Sequence, residues 1–372
     1  MSIDDGEDPA DLSESSDEEP VLVSPAERRL VTQPLDLSVQ TLFDQWGEKL
    51  LILPEIQREY VWDNGKASRL IESLLLNIPI PVLYFAENEE AKYEIFDGHQ
   101  RTRSIVRYMN NEFPLIGLSV LKEYRGRRYH ELPEKDQRFF RMRTLRVIVI
   151  SIESHPNMKF EIYERLNTGS ILLNAQELRN SIYRGPLNKL LHELVKEPIF
   201  RSIIGTKLPR NRMVDEEITL RFLAMHALLD KYRPSLKRFL NEYALSMKGA
   251  SDEQISEFRA LFFRSISLIQ ETLGISAFRV LDENGDRVES TVNRALFEAQ
   301  MLAFSWVNRE DSVINPQAVR MEVAKLFVDE PFMDAIQRAT GDRSRTMRRL
   351  RETVAALTQA GMALEVPFDL SK

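Results

Sequence analysis

The segment KYEIFDGHQRTRS, residues 92–104, carries the pattern of a strand, a tight turn and the beginning of a helix. Tyr93 and Ile95 alternate as in a short strand, and Gly98 permits the turn. The residues that would form the buried face of the helix recur at helical spacing and are Thr102, Ile105, Val106 and Met109. The segment therefore predicts a helix N-terminus that begins directly after the end of a strand.

The predicted N-terminus suits an anion, because free backbone N–H groups and the helix dipole both attract negative charge there. Arg101 lies in the first turn and would bind an oxyanion through two parallel hydrogen bonds. Its position at the margin of the buried face favours an anionic partner, since a buried guanidinium without one is costly. Two alternatives need no ligand: Asp97 and Gln100 fit a capping pattern, and a nearby carboxylate would also pair Arg101.

Length and composition place the chain among ordinary globular proteins. Its 372 residues suffice for two domains, and 43% apolar with 29% charged residues is typical of a soluble protein. The absence of cysteine excludes disulfides, thiolate nucleophiles and cysteine-based zinc or iron–sulfur sites. No apolar run is long enough to cross a bilayer, and the acidic start at Met1–Glu19 is the opposite of a secretory signal. We therefore expect a cytoplasmic protein with no membrane partner.

The net charge of −7 is concentrated near the N-terminus. Residues 1–30 hold ten acidic and two basic residues, whereas residues 31–372 hold 47 acidic and 48 basic residues. We expect residues 1–34 to form a disordered acidic tail that acts as a solubilising extension, with mimicry or repulsion of nucleic acid as the alternative.

A local excess of basic residues follows the DGHQR turn. Residues 97–150 hold twelve basic and six acidic residues, and this excess would suit a nucleic-acid backbone. The basic residues that stand out there are Lys122, Arg125, Arg127, Arg128, Arg138, Arg141, Arg143 and Arg146. A solvated face with ion pairs is the alternative for each of these arginines.

The pattern of apolar residues divides the chain into a mixed region and a helical region. Residues 35–185 alternate helical stretches with short β-rich runs, which predicts an α+β domain with a small mixed sheet. The predicted strands are Val82–Ala86, Tyr93–Phe96, Leu115–Leu121 and Leu145–Ile152, and the predicted helices are Lys66–Asn77 and Gln100–Asn110. Residues 186–372 predict an all-α helical domain. Its helices are expected at Glu216–Asp230, Pro234–Met247, Asp252–Leu273, Thr291–Trp306, Pro316–Val328 and Arg345–Ala363.

The segment around Asn167 carries a structural signal beside a functional one. Asn174 followed by Glu177 fits a capping box, so we interpret both residues as the start of a helix. Asn167, Thr168 and Gly169 precede them in a loop where Gly169 can take a positive φ and leave backbone donors free. A plain turn is the alternative to a ligand contact at this loop.

At four places the sequence resembles one known family. Asp97–Arg101, DGHQR, resembles the DGQQR signature of the GmrSD-type restriction endonuclease N-terminal domain, within the ParB and sulfiredoxin-like superfamily. Ile56–Trp62 resembles the opening motif of that family, Glu164–Gly169 resembles its LN-x-G motif, and Arg212–Phe222 resembles a stretch common after the core. Four matches in the same order over about residues 36–225 are far more specific than any one of them.

The resemblance implies a ParB/sulfiredoxin-like fold for residues 35–185 and a pocket for a nucleoside triphosphate (NTP), with Mg²⁺ as a further cofactor. Asp97 and Arg101 would be the catalytic residues, and Asp97 would position Mg²⁺ or water. The residues implied in nucleotide or phosphate binding are Gln57, Arg58, Gly98, His99, Gln100, Arg103, Asn167, Thr168 and Gly169.

Local sequence leaves a structural alternative open for the first of these segments. Arg58 and Glu59 could form an exposed ion pair at a strand end while Tyr60 and Trp62 pack into the core. The family resemblance instead implies a phosphate or DNA-backbone contact for Arg58, and it makes the two aromatic residues candidates for base stacking. We expect Trp62 to lie mostly in the core.

The sequence also departs from the family pattern. His99 stands where the family has Gln, and Arg103 stands at a Thr-like position; a neutral imidazole still donates and accepts hydrogen bonds. Many relatives carry a C-terminal HNH nuclease domain, whose metal and general-base positions require histidine. Residues 227–372 contain no histidine, so we predict a helical domain without that nuclease. Any DNA cleavage would then come from a separate nuclease subunit or from an unrecognised site in the first domain.

The leading hypothesis is a nucleotide-binding and NTP-hydrolysing module of a DNA-directed restriction or anti-phage defence system. The alternative is a non-catalytic ParB-like DNA-binding adaptor whose basic segment binds the DNA backbone. A metal-dependent nuclease in the N-terminal domain comes third, because the carboxylate cluster that it requires is not visible in the sequence. DNA is the expected partner, and a homo-oligomer is a further expectation.

Overall fold

The computed structural model describes residues 28–53, 60–166, 173–367 and 370. The chain divides into two compact units, which we call the sheet unit and the helical unit. The described residues between 28 and 166 belong to the sheet unit, whereas residues 174–179 and 183–367 belong to the helical unit. Apart from Asn180–Ile182, the sheet unit ends at Leu173, before the boundary at residues 185 and 186 that the sequence suggested.

Within the described residues, the sheet unit contains five strands in a mixed sheet. They are β1 (Thr32–Ser38), β2 (Leu51–Ile52), β3 (Leu83–Glu87), β4 (Tyr93–Asp97) and β5 (Thr144–Ile150). Their order across the sheet is β1, β5, β3, β4, β2. The pairs β1–β5 and β3–β4 are antiparallel, while β3–β5 and β2–β4 are parallel. The predicted α+β class with a small mixed sheet is therefore confirmed.

In the described part of this unit, the helices that accompany the sheet are α1 (Val39–Gly47), α2 (Asn64–Leu75), α3 (His99–Met109), α4 (Glu134–Met142) and α5 (Pro156–Leu166). Helix α2 is an example of how the sequence determines these helices. Asp63 caps its first turn by accepting a hydrogen bond from Lys66 N at 2.7 Å. Its apolar residues then recur at helical spacing and are buried at Ala67, Leu70, Ile71 and Leu74. They join one core with α1, α3, α4 and the sheet.

Most predicted elements of this unit are confirmed, but the strand expected at Leu115–Leu121 is wrong. That segment is irregular, because the side chain of Glu72 on α2 binds the N–H groups of Ser119, Val120 and Leu121. Those groups are therefore unavailable for a strand ladder. A second difference lies at the other end of the sheet, where β1 begins at Thr32 within the segment that we predicted as tail.

The helical unit includes the first part of α6 (Ala175–Ile182), whose residues Asn180–Ile182 belong to the sheet unit, and continues as a helical bundle. Its helices are α7 (Pro186–Leu194), α8 (Pro198–Ile204), α9 (Val214–Leu228), α10 (Leu236–Ser246), α11 (Asp252–Thr272), α12 (Arg294–Ser305), α13 (Pro316–Lys325), α14 (Glu330–Gln337) and α15 (Arg343–Gln359). Two short strands, β6 (Val307–Asn308) and β7 (Ala363–Leu364), pair antiparallel. Helix α12 is buried on every side from Ala295 onward, as expected for a central helix, and it packs against α9, α11 and α15.

Arg279 and Arg349 are among the buried arginines of the helical unit, and each is only 1% exposed. The guanidinium of Arg349 forms an ion pair with Glu298 at 2.5 Å, and both side chains are almost fully buried. Arg279 instead donates hydrogen bonds to backbone carbonyls, among them those of Ile203 at 2.9 Å and Ile204 at 2.8 Å at the end of α8. Burial lowers the pKa of Arg279 to about 10. Within the described ranges, no helix is both long and apolar enough to span a membrane.

Candidate functional site

The turn between β4 and α3 depends on glycine at position 98. Gly98 has a φ of 94°, in the left-handed region that side chains disfavour. A Cβ at this position would lie 2.3 Å from Cδ2 of Leu83 and 3.3 Å from Nη2 of Arg101. Glycine is therefore required both by the backbone conformation and by the close approach of β3.

Gly98 is also the residue that precedes the first turn of α3, and this leaves the helix without a side-chain cap. The predicted capping pair of Asp97 and Gln100 is wrong. Asp97 binds Arg101 instead, and Oε1 of Gln100 accepts hydrogen bonds from the N–H groups of Val61 at 3.1 Å and Trp62 at 3.2 Å. The first turn of α3 contains no acidic residue either. An N-terminus of this kind attracts an anion through its N–H groups and its dipole.

Arg101 is paired with a carboxylate of the protein itself, which was one of the two alternatives to a ligand in the sequence analysis. Its Nη2 donates to Oδ2 of Asp97 at 2.6 Å, and its Nη1 donates to the carbonyls of Pro81 and Val82. The side chain is only 12% exposed. Burial lowers the pKa of its guanidinium, and the charge of Asp97 partly offsets that effect. Arg101 therefore ties the turn to the segment that leads into β3.

Asp97 keeps one carboxylate oxygen available. Its side chain is 40% exposed, and Oδ1 has no hydrogen-bond partner among the described residues. Mg²⁺ commonly takes one or two protein carboxylates and completes its coordination with water and substrate phosphates. Asp97 fits such a role, although the guanidinium of Arg101 beside it would weaken the attraction for a cation. In the part of the chain that the structure describes, no three His, Asp or Glu residues are grouped to hold a metal.

Arg103 is the arginine of α3 that lacks an acidic partner. It is half-buried, its guanidinium lies 5.4 Å from the centre of the Tyr60 ring, and among the described residues no carboxylate lies within ion-pair distance. Arg107, one turn later, lies 4.4 Å from the same ring and pairs with Glu112 at 3.0 Å. His99 precedes Arg103 by four residues and so shares its face of the helix. Within the part of the chain that the structure describes, Arg103 is therefore the arginine of α3 without an acidic partner.

Residues 60–62 are attached to α3 by contacts that the sequence did not reveal. The hydroxyl of Tyr60 is 2.8 Å from that of Ser104, which itself donates to the carbonyl of Gln100 at 2.7 Å. Trp62 is half-buried and packs against the core of the sheet unit, as predicted, with the ammonium of Lys66 5.3 Å from its ring centre. The ring of Tyr60 therefore contacts two arginines of α3, and these contacts do not support the base-stacking role.

Several predicted site residues cannot be placed. Gln57, Arg58, Asn167, Thr168 and Gly169 all lie outside the described residues. The structure brings together the remaining predicted residues, Asp97, Gly98, His99, Gln100, Arg101 and Arg103, in one turn and the first turns of α3.

The capping box next to the Asn167 loop is confirmed. Oδ1 of Asn174 accepts from the N–H of Glu177 at 2.8 Å, and Oε2 of Glu177 accepts from the N–H of Asn174 at 2.7 Å. The two residues begin α6, so their role is structural.

The carboxylate of Glu72 is bound by a second set of backbone N–H groups. This interaction was not predicted from the sequence. The residue is 4% exposed and accepts hydrogen bonds from Val120 N at 2.7 Å, Leu121 N at 2.9 Å, and the N–H and hydroxyl of Ser119 at 3.1 and 3.0 Å. Burial alone would raise the pKa of this carboxyl, but these hydrogen bonds outweigh it and lower the pKa. The sequence signal that could have predicted this interaction is an acidic residue on the apolar face of α2, next to Ile71.

Residues 39–184 match the model of a family described as GmrSD restriction endonuclease, N-terminal domain. This range contains the DGHQR turn and two of the other three motifs, so the predicted resemblance is confirmed for this segment. Arg212–Phe222 lies beyond the matched range. No curated protein matches the chain.

Proposed function

We propose that residues 39–184, as a GmrSD N-terminal domain, bind and hydrolyse an NTP within a restriction or anti-phage defence system that acts on DNA. The observation that carries this proposal is the N-terminus of α3, which follows a strand through Gly98, receives no side-chain cap from that glycine and lies beside Asp97, whose side chain is 40% exposed. The proposal includes a ParB/sulfiredoxin-like fold for this domain. It also assigns DNA cleavage to a separate nuclease subunit.

The roles of the two arginines differ from those first expected. We assign the phosphate contact to the N-terminus of α3 and to Arg103, which has a contact with Tyr60 but no described acidic partner. Arg101 is a positioning residue, because its hydrogen bonds to Asp97 and to two carbonyls before β3 hold the turn in place. The proposed phosphate contacts of Gln57, Arg58, Asn167, Thr168 and Gly169 rest on the family resemblance alone.

The hydrolysis step needs an oriented water and neutralised phosphate charge. Water attacks the γ-phosphorus, the bond from that phosphorus to the β–γ bridging oxygen breaks, and the products are the diphosphate, inorganic phosphate and a proton. Asp97 would orient the water or hold Mg²⁺, which when bound neutralises part of the phosphate charge. His99 and Gln100 lie in the first turn of α3, where they would line the site.

Calorimetry on the full chain with ATP and GTP in the presence of Mg²⁺ tests the binding step. Arg103→Ala should weaken binding about tenfold, because one charge-assisted contact to phosphate is lost. Asp97→Asn should retain most of the affinity but lose the release of inorganic phosphate. Arg69→Ala removes an exposed arginine of α2 in the same unit and should match the wild type. Equal affinity in Arg103→Ala and the wild type would remove Arg103 from the site.

A non-catalytic adaptor is the second candidate, and the Asp97–Arg101 ion pair favours it, since that pair accounts for both charged side chains of the turn without a ligand. Retention of DNA that weakens with salt, without any phosphate release from ATP or GTP, would support the adaptor. Steady phosphate release that is lost in Asp97→Asn would instead support the enzyme.

A further inference from the structure

Helix α4 presents two large apolar side chains to solvent. One side of the helix is anchored in the core by Phe140, which is fully buried beside the rings of Tyr108 and Tyr129. On the exposed side, Phe139 is 47% exposed and Met142 is 73% exposed. Large apolar side chains that remain this exposed beside each other suggest a contact surface rather than part of the core.

Basic side chains flank these two residues. Lys135, Arg138, Phe139 and Met142 are spaced three, four and seven residues apart, which places them on one face of the helix, and Arg141 follows Arg138 by three residues. All five are exposed. The face that they form, which we call the α4 face, extends roughly 10 Å from Lys135 to Met142 at the usual rise per residue of a helix.

The cations of the α4 face are poorly neutralised. Arg138 lies 3.8 Å from Glu134, but both side chains are strongly exposed, and an ion pair of that kind contributes little. Among the described residues, neither Lys135 nor Arg141 has a carboxylate within ion-pair distance. The ammonium of Lys135 lies 5.7 Å from the ring centre of Phe139. The surface therefore combines unpaired positive charge with an aromatic ring.

The contacts at both ends of the helix hold the α4 face in a fixed orientation. Tyr124 donates to Oδ2 of Asp136 at 2.5 Å, and Arg143, directly after the helix, donates to the carbonyls of Leu74 and Leu75 at 2.9 and 3.0 Å. The segment before the helix adds positive charge, because Arg127 is exposed there and donates to the carbonyl of Glu131. A rigid helix with one charged, aromatic face is suited to a partner that offers both negative charge and flat apolar groups.

We infer that the α4 face binds single-stranded nucleic acid. Lys135, Arg138 and Arg141 contact phosphates, and Phe139, with Met142 beside it, contacts the faces of unpaired bases. Positive charge selects a polyanion, and an exposed aromatic ring between cations is the combination that single-strand binders use. This surface is separate from the proposed phosphate site, to which none of its residues is assigned.

Fluorescence anisotropy of a labelled mixed-sequence oligonucleotide with the full chain tests the charge contribution. The triple variant K135A/R138A/R141A should bind more weakly, and the slope of log affinity against log salt should become shallower by about 2, because three phosphate contacts are lost. A matched variant, K49A/R69A/K92A, removes three other basic residues of the sheet unit and should leave the slope unchanged. An unaltered slope in the first variant would overturn the inference.

Phe139→Ala tests the base contact. It should weaken binding to the single strand about tenfold at every salt concentration, with an unchanged slope, whereas Phe139→Trp should retain the affinity. Because these side chains are exposed, thermal denaturation should show the same midpoint in all variants. Equal binding of Phe139→Ala and the wild type, or a preference of the wild type for the duplex over the single strand, would overturn the proposed base contact.

The outcome is independent of the nucleotide proposal. Calorimetry with ATP and GTP in the absence of nucleic acid should give the wild-type affinity for every α4 variant. Loss of oligonucleotide binding with intact nucleotide binding supports the inference. Unchanged oligonucleotide binding contradicts it and leaves the nucleotide proposal untouched.

Discussion

Two carboxylates of the sheet unit lie near sets of backbone N–H groups, but only one of the two carboxylates binds them. Glu72 is buried and accepts hydrogen bonds from the N–H groups of residues 119–121. Asp97 lies directly before the N-terminus of α3 but binds Arg101, so it leaves that terminus without a cap. One set of donors is therefore closed by an anion of the chain itself, whereas the other set follows a glycine that supplies no side-chain cap.

This comparison distinguishes a structural acid from a candidate functional one. A carboxylate that satisfies several buried donors stabilises the fold, and its removal leaves those donors without a partner. A half-exposed carboxylate with one oxygen available contributes less to stability and more to chemistry. The two acids should therefore respond differently to substitution.

Glu72→Ala tests the set of N–H groups that Glu72 binds, and it should have the largest effect on the free energy of unfolding. The substitution removes four hydrogen bonds and leaves the N–H groups of Ser119, Val120 and Leu121 without their acceptor. We expect the free energy of unfolding to fall by about 3 kcal/mol. Urea denaturation followed by circular dichroism measures this change. Glu123→Ala, at an exposed acid near the same loop, serves as the control, and a loss no larger than in that variant would refute the role of Glu72.

Gly98→Ala tests the N-terminus of α3, because the substitution changes the turn that positions this helix. Alanine would suffer both the strain of a φ of 94° and a contact of 2.3 Å with Leu83, and we expect a loss of about 2 kcal/mol. Gly117→Ala is the matched control, because its φ is also positive, at 66°, but nothing lies within 4 Å. It should cost only about 1 kcal/mol. Equal losses in both variants would show that the contact with Leu83 is unimportant.

The pH dependence of stability is a further test of the role of Glu72. The pKa of Glu72 is lowered from its ordinary value of 4.5, so its contribution is complete above pH 4.5 and is lost as the pH falls through the lower pKa of the folded state. Glu72→Gln lacks this titration. The stability difference between the wild type and Glu72→Gln should therefore shrink below pH 4.5, as measured by urea denaturation at successive pH values. A constant difference would contradict the lowered pKa.

Arg103→Ala should have the smallest effect on stability. Its guanidinium contacts only the ring of Tyr60 among the described residues, so we expect a change in the free energy of unfolding below about 0.5 kcal/mol. The weaker nucleotide binding expected for this variant would then reflect a lost contact rather than a damaged fold. Thermal denaturation beside the calorimetric titration separates the two explanations, and a large fall in the midpoint would assign Arg103 a structural role.

Local features of the site could be predicted from the sequence, because they depend on neighbours along the chain. The strand β4, the turn at Gly98 and the helix α3 follow from alternation, a glycine and helical spacing, and all three are present. The capping box at Asn174 and Glu177 is another interaction across three residues, and it too is present.

Features that depend on distant residues could not be predicted in the same way. Arg101 binds the carbonyl of Pro81, 20 positions earlier in the chain. The loop that was expected to be a strand is held by Glu72, which is separated from Ser119 by 47 positions. In both cases the local pattern was compatible with more than one partner, and only the packing of α2 and β3 against neighbouring elements decided between them.

The close approach of Leu83 to Gly98 has an evolutionary consequence. Because Cδ2 of Leu83 occupies the space of a Cβ at position 98, these two positions should vary together among related sequences. A residue larger than glycine at position 98 would require a smaller one at position 83, and the left-handed backbone would favour asparagine as the replacement. A lineage that changed the turn would thus have to alter the first residue of β3 as well.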